Sequence, residues 1–132
     1  MSKYIDGFVI PLPKQNLAEY QRIATLAAQV WKDHGALEYI EAVGDDFPVC
    51  PQGGKSAPEL IGAGEEETLI FSYIVYESRK HRDAVNAKIM EDPRMDEICP
   101  AVNGVFDFKR MITGGFRVIV DLAPGIQVPA QG

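Results

Sequence analysis

Histidine and cysteine are both scarce in this chain of 132 residues, with two of each. Cys50 and Cys99 stand far apart, each beside a proline, and no CxxC pair occurs. A zinc site built from Cys and His is therefore not expected, and reduced thiols are the expected state. No apolar run approaches the roughly 18 residues that would span a bilayer. Nor is a secretory leader expected, because Asp6 interrupts the apolar start and Pro11 and Pro13 end it. Cations are in deficit, 13 Lys and Arg against 19 Asp and Glu, for a net charge of −6. A binder of phosphate backbones draws its affinity from clustered cations, so nucleic acid is not an expected partner. GxGxxG, Walker, HExxH and nucleophile-elbow motifs are all missing, which argues against nucleotide-dependent chemistry and serine hydrolysis. No cofactor and no metal are expected, and the setting is read as cytoplasmic without a membrane.

What is present suffices for a core: 46% of residues are hydrophobic and 24% charged, which excludes a disordered chain. Residues 1–122 read as one domain, and residues 123–132, with Pro124, Gly125, Pro129 and Gly132, as a flexible C-terminal tail. Residues 4–12 suit a strand closed by its prolines. Asn16 followed by Glu19 has capping-box spacing, and Tyr20, Ile23, Ala24, Ala27, Val30 and Trp31 then recur at the helical period until Gly35. Residues 37–43 alternate as a second strand. The proline- and glycine-rich stretch 44–64 reads as a long loop, and residues 68–76 as a third strand. Ser78 caps a second helix over residues 79–91, and residues 94–99 form a further helical turn ended by Pro100. A fourth strand is expected over 105–112, ended or bent at Gly114-Gly115, and a short fifth over 116–122. This β-α-β-β-α-β order is the ferredoxin-like α+β arrangement, two helices on one face of an antiparallel sheet.

Both faces of that sheet are apolar. In the third strand Leu69, Phe71, Tyr73 and Val75 oppose Ile70, Ile74 and Tyr76; in the first, Tyr4, Phe8, Ile10 and Leu12 oppose Ile5 and Val9. Two helices cover only one face, and a bare apolar face of several hundred Å² is more than soluble monomers usually tolerate. Either a second copy of the chain pairs sheet to sheet in a homodimer, or the long loop and tail fold across the face.

Several segments carry a family likeness: Tyr4-Ile5-Asp6-Gly7-Phe8, Gly44-Asp45-Asp46 followed by Pro48, Phe71-Ser72-Tyr73, and Met90-Glu91-Asp92-Pro93-Arg94-Met95. The most specific is the run from Phe106 to Phe116. Together they resemble the YbaA-like family of small bacterial proteins, a domain of unknown function (1428). The resemblance spans residues 4–122. It departs from the family pattern at Phe108, where glycine is expected, and at Thr113, where tyrosine is common. It implies a dimeric α+β barrel, a superfamily that includes cofactor-free monooxygenases, dismutating enzymes, lyases and plain ligand binders. Fold alone does not choose among these.

Candidate site residues follow from chemistry. Asp45 and Asp46, where the second strand enters the loop, read either as ligand-facing carboxylates or as turn-forming side chains. Lys109 and Arg110, in an expected apolar strand, would point to opposite faces, one of them to clamp an anion or to pair with Asp6 or Asp107. Asp6 is an inward carboxylate able to take a proton or form a salt bridge. Tyr73 and Tyr76 are candidate ligand contacts. His34 suits the negative end of the first helix, and Arg79-Lys80-His81-Arg82 reads as a solvated helix start. From Glu38 to Glu67 the chain carries eight acids and one base, a patch that suits either solubility or a cationic partner. Three readings stand: a dimer binding a small, partly apolar molecule between sheet and helices; a cofactor-independent monooxygenase-, isomerase- or lyase-like enzyme using the same cleft; and a module of a larger assembly.

Overall fold

The computed structural model describes residues 2–49 and 51–122. The elements run β1 (Tyr4–Pro13), α1 (Leu17–Asp33), β2 (Glu38–Val43), α2 (Ala57–Ile61), β3 (Glu67–Tyr76), α3 (Arg79–Glu91), α4 (Met95–Val102) and β4 (Ile112–Arg117), with 3-10 turns at Lys14–Asn16 and Phe108–Arg110. The strands form one sheet in the order β2-β3-β1-β4, and every neighbouring pair is antiparallel. This is the α+β, ferredoxin-like order. None of the helices among the described residues is long and apolar enough to cross a membrane.

One face of the sheet carries the core. Ile10 and Leu12 of β1 and Ile70, Ile74 and Tyr76 of β3 pack against Ile23, Ala27 and Val30 of α1, Val85 and Ile89 of α3 and Ile98 of α4. At about 25 cal/mol per Å² of apolar surface, these fully buried side chains supply most of the driving force for folding. The opposite face is different. Its rows in register include Ala42-Phe71-Val9-Ile112 and Glu38-Val75-Ile5-Phe116. Leu69 and Val75 are buried there, yet Phe71 is 55% exposed, Ile112 56% and Phe116 60%. Neither the loop after β2 nor the segment after β4 shields these three among the described residues. The expected tail, residues 123–132, lies outside them.

Several local expectations are corrected. β1 does not stop at its prolines but runs through Pro13. β4 pairs only with Tyr4–Val9 of β1, so beyond Val9 one edge of β1 is free, where a residue without an N–H is tolerated. Asn16 makes no side-chain cap; its amide instead donates to the Val105 carbonyl at 2.9 Å. The long loop contains a helical turn, α2, closed by a Ser56–Glu59 capping box. Pro100 lies inside α4 rather than ending it. The carbonyl it deprives of a donor belongs to Asp96, which is exposed to water.

The largest correction concerns residues 105–122. Instead of a strand over 105–112 and another over 116–122, the chain turns through Phe108–Arg110 and forms β4 over Ile112–Arg117. The turn is set by Asp107, whose carboxylate accepts the Lys109 N–H at 2.9 Å. Gly114 and Gly115 lie in the middle of β4. The Phe116 ring lies on Gly7 and Gly114, and the Tyr4 ring occupies the space a Cβ on Gly115 would need. These glycines admit aromatic rings to the strand; they do not end it.

Candidate functional site

Alternation along β2 turns Tyr39 and Glu41 toward the helices, while Glu38 and Ile40 face the open side. Between the sheet and helices α1 and α4 lies a cavity of about 290 Å³. Its walls are apolar and largely aromatic: Phe8, Trp31, Ile74, Ile98, Phe106 and Phe108. Its polar end is formed by Glu41 with Tyr20, Tyr39 and Ser72.

The geometry at that end is specific. The Tyr20 hydroxyl, from α1, donates to Glu41 Oε1 at 2.8 Å. The Tyr39 hydroxyl donates to Oε2 at 3.0 Å. Ser72, directly opposite Glu41 on β3, adds a side-chain hydrogen bond. Burial raises the Glu41 carboxyl above the ordinary carboxylate range, and the three hydroxyls oppose that shift without cancelling it. Burial, and then the Glu41 charge, pushes both phenols far above their usual range. Tyr20, Ala24, Tyr39 and Glu41 also line a second pocket of about 400 Å³ between α1 and β2. Glu41 therefore sits on the partition between an outer pocket and the inner cavity.

Asp6 occupies a different place. It is buried on the helix side of β1, and the Arg82 guanidinium donates to its Oδ1 at 2.5 Å. Arg82 also reaches Asp83 at 2.8 Å and lies 4.9 Å from the centre of the Tyr4 ring. Around this pair is a groove of about 370 Å³, lined by Asp6, Arg82, Asn86, Met90, Thr113 and Gly115 among others. Phe8, Trp31, Ile74 and Met95 are shared with the central cavity. Phe108 and Thr113, the two departures from the family pattern, thus fall on the cavity wall and the groove wall respectively.

The other candidates do not converge. Lys109 and Arg110 are not in a strand. Lys109 is exposed, and Arg110 donates to Glu67 at 2.7 and 2.9 Å and to the Gly62 carbonyl at 2.9 Å, which ties the end of α2 to β3 and leaves Asp6 to Arg82. Asp45 and Asp46 are exposed beyond β2. Tyr73 lies on the open sheet face beside Phe71, ring centres 6.0 Å apart. Tyr76 is fully buried, accepts from the Trp31 indole at 3.1 Å and donates to Asn86 at 3.4 Å; burial pushes its phenol up to about 12.

His34 Nε2 lies 2.7 Å from Asp92 Oδ2, and Arg94 bridges Asp92 and Asp33. These contacts fasten α1 to the turn before α4. Arg94, and then His34, hold the Asp92 carboxyl well below its ordinary range. His81 Nδ1 accepts the Glu77 N–H at 3.0 Å. Cys99 is a free thiol at the cavity, and Cys50 lies outside the described residues. Among the described residues no group of three His, Cys, Asp or Glu side chains is arranged to hold a metal ion.

Glu41, Tyr20, Tyr39 and Arg82 carry the polar geometry, and none of them is among the site residues expected from the sequence. The available signal was phase: Glu41 shares its strand face with Tyr39, and Tyr20 lies on the buried stripe of α1.

Comparison with known proteins agrees with this architecture. The family model described as a protein of unknown function (DUF1428) matches residues 3–108. The uncharacterized protein YbaA of Escherichia coli strain K12 is 41% identical over 121 residues, covering 90% of this chain and 98% of that one. YbaA of Shigella flexneri matches to the same extent. Among solved structures, a NIPSNAP family protein with unknown function from Agrobacterium tumefaciens superposes with a TM-score of 0.59 at 13% identity, over 95% of both chains. A second NIPSNAP family protein from that bacterium gives 0.55 at 13% identity, over 93% of this chain and 90% of that one. At such identities the likeness is one of fold.

Proposed function

The chain belongs to the DUF1428 family of proteins of unknown function, and on that premise we propose that it binds a small, partly apolar molecule in the cavity between its sheet and its helices. The observation that carries this reading is the cavity itself, about 290 Å³ of apolar and aromatic wall with one convergent polar end at Glu41. Its volume lies at the lower edge of the roughly 300–1,000 Å³ typical of small-molecule sites, and apolar walls with a few placed polar groups are their usual make-up. Residues 1–122 act as one domain in the cytoplasm, and the working form is a homodimer. Support for the homodimer is the open sheet face, where three large side chains stand more than half exposed. Pairing two such faces in an interface of about 1,600 Å² is favourable at roughly 25 cal/mol per Å².

A second reading, a cofactor-independent enzyme in the same cavity, is favoured by one observation. A carboxyl raised by burial, as Glu41 is, is a stronger base than an ordinary carboxylate and sits within the cavity wall where a substrate proton could reach it. In that reading Glu41 removes a proton from the substrate.

The experiment is uptake of the neutral apolar fluorophore N-phenyl-1-naphthylamine by wild type and by Ala27→Leu. Ala27 is buried on the cavity wall, so the added carbons fill the space. Fluorescence should rise with wild type and stay flat with the variant; a flat wild type, or equal uptake by both, overturns the cavity reading. Native mass spectrometry of untagged protein then identifies any carried molecule. Turnover of that molecule by wild type and its loss in Glu41→Gln would select the enzyme.

A further inference from the structure

We infer that the molecule taken by this cavity is a small organic cation, a protonated amine on an aromatic or aliphatic body, seated with its ammonium group against Glu41. The inference rests on the binding reading above and names its ligand class. The Glu41 carboxyl lies between a sheet and a helix, and the groups that reach it are neutral hydroxyls. Among the described residues no Lys, Arg or His pairs with it, and neither the inner cavity nor the outer pocket has a Lys or Arg in its wall. A carboxylate in apolar surroundings is costly unless a cation answers it. Here the described residues supply hydrogen bonds but no countercharge. By contrast, Asp6, the buried carboxylate of the helix side, has its guanidinium in place.

The stereochemistry agrees. Tyr20 binds one carboxylate oxygen and Tyr39 the other, which holds the carboxylate plane and leaves acceptor capacity on the group for an incoming N–H. The wall is rich in aromatic residues, Phe8, Tyr20, Trp31, Tyr39, Phe106 and Phe108, and an aromatic face attracts an organic cation where a hydrated metal ion would have to shed its water. The same charge refuses a carboxylate or phosphate ligand. Beyond the site, the segment from Glu38 to Glu67 carries eight acids and one base, and its Asp45 and Asp46 stand exposed just past the β2 residues that line the outer pocket. Negative charge that close in sequence to the pocket wall concentrates cations around it and speeds their arrival.

Isothermal titration of three probes with one body and different heads tests this: phenethylamine, 2-phenylethanol and 3-phenylpropionate. Wild type should bind the amine about tenfold or more tighter than the alcohol, the worth of one charge-assisted hydrogen bond, and should not bind the carboxylate. Glu41→Gln should bind amine and alcohol alike. Equal affinity of wild type for amine and alcohol overturns the inference while leaving the cavity reading intact, and that comparison needs no variant. An amine preference that survives in Glu41→Gln also overturns it. If none of the three probes binds, the amine assignment falls, and N-phenyl-1-naphthylamine uptake then decides separately whether the cavity binds apolar molecules at all.

Discussion

Arg82, in the first turn of α3, donates to Asp6 of β1 and lies over the face of Tyr4. One guanidinium thus neutralises the buried carboxylate of the central strand and clamps α3 to the sheet. Tyr4 in turn covers Gly115 of β4, so the contact reaches from a helix through two strands. Asp6, an attractive proton acceptor on sequence grounds, is occupied by this arrangement. Glu41, by contrast, lines the cavity and is met by hydroxyls alone.

The pair predicts an asymmetric mutational response. Both side chains are mostly buried, 18% and 12% exposed, so removing the cation strands the anion. Arg82→Met should cost about 3 kcal/mol of stability, the lower end for breaking a buried pair. Adding Asp6→Asn should recover a good part of that loss, because the stranded charge is gone. Urea unfolding at neutral pH reads both. A single variant within about 0.5 kcal/mol of wild type would mean the contact is solvated and weak.

Glu41 predicts a pH-dependent stability of defined sign. Its folded-state value lies above the 4.5 of an ordinary Glu, so the folded protein holds this proton more tightly than the unfolded chain. Stability from this group is therefore full below 4.5 and falls as pH rises through the folded value. Glu41→Gln removes the ionisation, and a Gln can still accept from one tyrosine hydroxyl and donate to the other. The variant should melt higher than wild type at pH 8, and the gap should narrow toward pH 4. A variant less stable than wild type at pH 8 would show that the three hydroxyls outweigh burial.

How much of this was legible depends on the range of the interaction concerned. α3 lies at the expected residues because Ser78 and the Asp92-Pro93 break are local signals. The bare sheet face was legible too, since two-sided apolar alternation in β1 and β3 needs no partner to be seen. β4 was misplaced by several residues for a tertiary reason. Gly114 and Gly115 look like terminators locally, and only the rings of Phe116 and Tyr4 laid on them explain their place within a strand. Glu41 escaped notice because a glutamate in an alternating strand normally marks the wet face. Its half-buried place follows from where α1 crosses β2, which the phase it shares with Tyr39 does not fix by itself.

The open face yields the last prediction. Phe71 occupies the middle of a row running Ala42-Phe71-Val9-Ile112 across all four strands. It is 55% exposed in the single chain, so replacing it should disturb the fold little. In a sheet-to-sheet dimer the same position lies at the centre of the interface, where an unpaired carboxylate carries a heavy desolvation penalty. Wild type should register in native mass spectrometry at twice the 14.6 kDa of one chain, and Phe71→Asp at the single mass with unchanged circular dichroism. Met90→Asp serves as control: Met90 is 84% exposed on α3, away from this face, and its replacement should leave the dimer intact. Wild type at the single mass, or a Phe71→Asp protein that stays paired, would sink the pairing of open faces. A mass shift in the Met90 variant would instead place the contact on the helix side of the sheet.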